Sequence, residues 1–238
     1  SLEVSPALAH DAAGTLAAGL RLKAAVDRPN VLIKVPATGA GIDAIAQLIE
    51  AGVSVNVTLI FSLAQADAVA QAYLRGLERR HAAGGDVRPI MSVASLFLSR
   101  LDTLIDTQLE ELGGEALSLR GKSAVATAKL AYQRYCERFH GEEFATLRDL
   151  GARPQFLLWA STGTKNPAYS DLLYVEALIG TETINTLPDG TLDALRDHGR
   201  VEASLAADVD KAAAQYAALE RHGIDLERVG ERLQHEGL

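Results

Sequence analysis

The chain has 238 residues, 48% hydrophobic and 23% charged, enough to bury a sizeable core and too apolar for general disorder. Its formal charge of -8, from 23 basic and 31 acidic residues with no Lys/Arg run, argues against a nucleic-acid surface. One cysteine, Cys136, leaves no disulfide framework or cysteine-based metal cluster, no apolar run reaches the ~18 residues of a membrane span, and no signal-peptide pattern follows Ser1, so the expected compartment is the cytoplasm.

In chain order the pattern is strand, helix, strand, helix. Six strands are expected, at Ser1–Ser5, Val31–Pro36, Val53–Phe61, Ile90–Phe97, Gln155–Ala160 and Thr183–Leu187. Ser5-Pro6 reads as a cap with proline at the first helical position, opening a helix that carries Leu8, Leu16, Leu20 and Leu22 and ends near Asp27–Asn30. A second helix starts at Gly41 and closes at Gly52. Ser62 with Gln65 makes a capping box for a long Ala-rich helix. Helical sequence runs from about Ser99 to Gly151, broken at Gly113-Gly114 and Gly141, and again from the last strand to the end. There is no linker, fixed repeat or clear domain boundary, so residues 1–238 read as one domain.

Such alternation indicates parallel βαβ units, arranged as an open doubly wound sheet or a β/α barrel. Strands covered by helices on both faces read apolar throughout. Here Val53, Val55, Val57 and Leu59 form one face and Ser54, Asn56 and Thr58 the other. A polar face opposite the helix layer suits a barrel lumen with a site at its C-terminal mouth. A half-exposed strand with its polar side in solvent has the same pattern.

Several residues could carry chemistry. Lys34 is the only one of six lysines inside an apolar strand run, on the face of Leu32 and Pro36. A desolvated lysine there favours the neutral amine that imine formation with a carbonyl needs; a strand-end lysine reaching into solvent is the alternative. Glu3, between Leu2 and Val4, points inward if they point outward and could move protons, or else it frays in solvent. Asn56 and Thr58 could hold a water and a substrate hydroxyl, or simply fill the lumen. Arg100, and Ser161 with Lys165, lie just past two strands and could bind an anion, unless local carboxylates neutralise them. The six histidines show no ligand-like spacing, and Gly39-Ala40-Gly41 lacks the third glycine of a dinucleotide loop.

Four segments together carry a family resemblance: Ser1-Leu2-Glu3-Val4-Ser5-Pro6-Ala7-Leu8-Ala9-His10-Asp11, Val31-Leu32-Ile33-Lys34-Val35-Pro36-Ala37-Thr38, Asn56-Val57-Thr58-Leu59-Ile60-Phe61-Ser62, and Trp159 to Tyr169 with Ser161-Thr162-Gly163-Thr164-Lys165 inside it. The chain resembles the transaldolases, in the long form found in bacteria such as actinobacteria, from end to end. The resemblance implies a TIM (β/α)8-type barrel and a class I, metal-free reaction that needs no cofactor. A lysine amine forms an imine with a ketose phosphate, retro-aldol cleavage leaves a dihydroxyacetone unit on the enzyme, and that unit passes to an aldose phosphate in the pentose phosphate pathway.

On this resemblance Lys34 is the Schiff-base residue, Glu3 works through a water, and Thr58 holds that water. Asn56 contacts the carbon unit, Ser95 and Arg100 contact substrate and phosphate, and Phe97 matches an aromatic that is usually tyrosine in related fructose-6-phosphate aldolases. Ser161 and Lys165 fall in the loop that holds phosphate, where other branches have a shorter Ser-x-Arg arrangement. The family places two strands before its glutamate strand, carrying an aspartate acid/base and an asparagine on the substrate, and only two residues precede Glu3 here. The expectation is therefore an incomplete barrel of about six strands, a C-terminal portion of a transaldolase. An inactive fragment that at most binds sugar phosphates, or an aldolase-like lyase, remain as alternatives, and open barrel edges would favour self-association.

Overall fold

The computed structural model describes residues 1–238. Its strands are β1 Leu2–Glu3, β2 Ile33–Pro36, β3 Val55–Ile60, β4 Ser92–Phe97, β5 Phe156–Ala160 and β6 Thr183–Asn185. Its helices are α1 Ala12–Val26, α2 Gly39–Glu50, α3 Leu63–Ala82, α4 Ser99–Leu112, α5 Ser123–His140, α6 Ala145–Asp149, α7 Leu173–Glu176, α8 Asp189–His198, α9 Val209–Arg221 and α10 Leu226–Gly237. No helix is long and apolar enough to cross a membrane.

Strand order separates the two architectures left open by the sequence. All six strands are parallel and lie in the order β1-β2-β3-β4-β5-β6, each beside its chain neighbour. A doubly wound sheet reverses its order at a switch point. Crossovers of one hand between successive neighbours instead put every connecting helix on the same face, as in a β/α barrel. The sheet does not close: β1 pairs only with β2 and β6 only with β5, leaving Leu2 and Ile184 exposed.

The helix-covered face holds the main core, 49 buried residues that include Ile33, Val35, Val55, Val57, Ala94, Leu96, Leu157 and Trp159. The opposite face carries the alternate residues, with a small apolar floor of Val93, Leu158 and Ala160 against Leu32, Phe97 and Phe156. The polar set of β3 therefore faces this second interior.

Local chemistry sets the boundaries and corrects three expectations. Ser5-Pro6 opens only the three-residue 3-10 turn Pro6–Leu8, without a side-chain cap bond. The cap of α1 is Asp11, whose carboxylate accepts from Gly14 N–H at 2.9 Å. Helix α2 begins at Gly39, two residues early, because the Thr38 hydroxyl accepts from Gly41 N–H at 3.0 Å. The Ser62/Gln65 capping box on α3 is present as read. In β3 the expected alternation stops before Leu59. Val57 pairs with Ala94 but Ile60 with Leu96, so one extra residue is inserted, and Leu59 takes φ 60°. Past the bulge Leu59, Ile60 and Phe61 are all buried in the main core, and Phe61 packs on Phe97, ring centroids 5.3 Å apart.

Helices α2 and α3 pack through Gly76, where a Cβ would lie 2.7 Å from the Ala46 carbonyl oxygen and 2.6 Å from Ile49 Cβ. Gly76→Ala should thus destabilise the fold by about 1–3 kcal/mol despite better helix propensity. Urea unfolding tests this, and a stabilised variant would contradict the packing.

Candidate functional site

The ladder aligns Glu3 with Lys34 and Lys34 with Asn56, so one row of the inner face runs from the first strand to the third. Lys34 Nζ lies 3.1 Å from Glu3 Oε2. Lys34 and Glu3 share the inner face, where their side chains are 30% and 48% exposed.

The next groups are more enclosed. Asn56 accepts from Ser95 Oγ at 2.8 Å and donates from Nδ2 to Ser1 Oγ at 3.3 Å. Ser95 is 3% exposed. Thr58, paired with Pro36 and 1% exposed, has a buried hydroxyl with no protein hydrogen-bond partner. Such an orphaned group in the lumen beside the lysine strand is suited to a water or substrate hydroxyl.

Above this row Phe97 ends β4, and the Arg100 guanidinium sits 5.6 Å from its ring centroid. Arg100 and Lys165 line one depression of about 500 Å³ together with Thr103, Thr107, Arg232 and Glu236. Neither Arg100 nor Lys165 is within ion-pair distance of a carboxylate, whereas Arg232 Nε bonds Glu236 at 2.7 Å. Ser161 does not line the depression. Its hydroxyl is 2.8 Å from Ser99 Oγ, and its backbone is held at φ 55°.

Comparison with known proteins bears directly on this arrangement. A family model described as Transaldolase/Fructose-6-phosphate aldolase matches residues 1–238. The chain belongs to this family. It is 59% identical to a transaldolase of Thiobacillus denitrificans, over 100% of this chain and 67% of that protein. It is 51% identical to Transaldolase 1 of Streptomyces coelicolor and 51% identical to a transaldolase of Neisseria gonorrhoeae, in each case over 100% of this chain and over 63% and 66% of those proteins. The chain thus spans about two thirds of the length of these relatives, within a family of β/α-barrel fold.

In this family member the β5 loop that carries Lys165 is braced on α4, the helix that starts beside Arg100. Tyr169 Oη donates to Asp106 at 2.6 Å and Tyr174 Oη to Asp102 at 2.8 Å. The same carboxylates accept from Gly121 and Ala124 N–H at the start of α5. Gly121 has φ 66° and a Cβ there would meet the Tyr169 ring at 2.8 Å, so the ring lies directly on glycine backbone. Sequence reading missed Asp102, Asp106 and Arg232, which lie at ordinary helix positions. The available signal was a pair of aspartates one turn apart on the face of Ile105 and Leu109.

Burial pushes the Asp102 carboxyl up to about 6, against the bonds from Ala124 N–H and Tyr174 O–H that favour its charged form. The unfolded chain loses this proton near pH 4, so the folded state holds the extra proton between about pH 4 and 6. Stability contributed by Asp102 then falls as pH rises through that window, by at most about 1.4 kcal/mol per pH unit. In urea unfolding at pH 4 to 7, the stability of wild type relative to Asp102→Asn should drop toward pH 6 and level off. A difference that rises with pH would mean that Asp102 is charged throughout.

Proposed function

We propose that this chain carries the Schiff-base half of a transaldolase, which moves a dihydroxyacetone unit from a ketose phosphate such as sedoheptulose 7-phosphate or fructose 6-phosphate to an aldose phosphate. The observation that carries this reading is the Lys34–Glu3 pair at 3.1 Å on the inner face, in one row with Asn56 and one step from the orphaned Thr58 hydroxyl. The names of the relatives support it.

Each group has a chemical task. Glu3 takes a proton from the Lys34 ammonium and frees the lone pair that attacks the ketose carbonyl. The carbinolamine loses its hydroxyl as water, its departure assisted by a proton returned from Glu3 through a water held by Thr58. The protonated imine then draws in the electrons of the breaking carbon–carbon bond while the hydroxyl on the departing carbon gives its proton to a water, leaving an enamine on Lys34 and releasing an aldose phosphate. The enamine carbon attacks the acceptor aldehyde, whose oxygen takes a proton back from water, and hydrolysis of the new imine releases the product ketose and regenerates the amine. Asn56, fixed by Ser95, holds hydroxyls of the three-carbon unit. Phe97, packed between Phe61 and Arg100, supplies a ring without a hydroxyl, which favours transfer over the lyase alternative.

Arg100 and Lys165, both free of carboxylates, form the phosphate site, and Ser161, bonded to Ser99, stays outside it. Sugar phosphates as ligands fit a cytoplasmic setting.

Borohydride reduction in the presence of fructose 6-phosphate should add the mass of a three-carbon unit, mapped by peptide sequencing to Lys34 and lost in Lys34→Ala. Labelling of a different lysine would overturn the assignment. In the same assay, Arg100→Ala should raise the half-saturating concentration of phosphorylated ketose about ten- to a hundredfold and that of unphosphorylated ketose little. Equal losses for both would make Arg100 a structural residue.

A further inference from the structure

Helix α10 lies across the C-terminal ends of β2 and β3, the strands that carry Lys34 and Thr58. Four residues spaced along one face make the contacts. Glu227 Oε1 accepts from Ala64 N–H at 3.3 Å. Gly230 lies against Ser62, where a Cβ would come within 2.8 Å of the Ser62 Cβ. Gln234 Nε2 donates to the Ala37 carbonyl at 2.9 Å and to the Leu59 carbonyl at 3.0 Å. Gly237 packs on Leu59, where a Cβ would lie 2.9 Å from Cδ2.

The Gln234 contact stands apart from the others. A primary amide has two N–H donors, and here they serve carbonyls at the ends of two different strands. Those ends are already joined by the Ala37 N–H, which donates to the Thr58 carbonyl at 2.8 Å. The second carbonyl belongs to Leu59, the bulge residue at φ 60°. A non-glycine residue in that region is strained and persists only where its surroundings hold it. Without a donor, the displaced carbonyl would have no reason to keep the bulge in this form, and the bulge fixes where Thr58 points.

We infer that Gln234 is a positioning residue, which clamps the ends of β2 and β3 and so sets the Thr58 hydroxyl relative to the Lys34 amine. It acts through Leu59 and Ala37 and needs no contact with substrate. The inference rests on reading the Lys34 face as the imine-forming site. A helix that merely shields the core would contribute stability alone. The clamp makes a different demand, because a shift of about 1 Å in a reacting group costs up to 10²-fold in rate.

The test compares wild type, Gln234→Leu, which keeps the volume and removes both donors, and Glu227→Ala, which loosens α10 at its other end. Three quantities are measured on the full chain: amide hydrogen exchange at Ala37, the borohydride trapping rate of fructose 6-phosphate against its concentration, and urea stability. In Gln234→Leu, exchange at Ala37 should rise about tenfold and the saturating trapping rate should fall about tenfold, with the half-saturating concentration within a factor of about three. Glu227→Ala should leave both exchange and saturating rate near wild type. Unchanged exchange, or faster exchange with an unchanged trapping rate, overturns the inference, as does a Glu227→Ala variant as slow as Gln234→Leu. If wild type itself traps no ketose, the reading of Lys34 fails, and exchange at Ala37 still decides whether Gln234 holds the strand ends.

Discussion

Everything at the candidate site depends on the register of a parallel ladder wound in one direction. Because each strand lies beside its chain neighbour, all the connecting helices gather on one face. The other face is then free to carry polar side chains that a doubly covered sheet could not tolerate. Register sets which of them meet. Residues 31 apart in sequence, Glu3 and Lys34, become cross-strand partners, and Asn56 follows in the same row. A one-residue slip would turn each of these side chains into the helix layer.

The strand ends are where that regularity is deliberately broken. Leu59 and Ser161 both adopt positive φ, one past Thr58 and one just past β5. Non-glycine residues in this region are uncommon and gather at functional sites. Each is held by its neighbours, Leu59 by the Gln234 amide and Ser161 by the Ser99 hydroxyl. Charge shows a comparable local exception. The chain carries -8 overall, yet Arg100, Lys165 and Arg232 converge on one depression with Glu236 as its only carboxylate. A local excess of positive charge on a negative whole is the arrangement that would favour a small anion over a polyanion, as the proposed phosphate site requires.

Much of this was legible in the sequence because it is local. Alternation placed Lys34, Asn56 and Thr58 on the inner face, and the Ser62/Gln65 box marked the start of α3. What failed to show was anything fixed by distant partners. Leu59 has no sequence mark of a left-handed conformation, so the period-two pattern ran straight through the bulge. Gln234 finds its carbonyl partners 197 and 175 residues away, and no spacing rule reaches so far.

The central claim is that Glu3 and Thr58, on separate strands, serve one proton path to Lys34. A double-mutant cycle on the single-turnover rate of imine formation, using Glu3→Gln, Thr58→Ala and both together, tests it most directly. Groups that act as a unit are non-additive, so the double variant should be scarcely slower than the worse single variant. A double variant slowed by the full product of the two single effects would show that the two residues act independently, and would contradict the shared path.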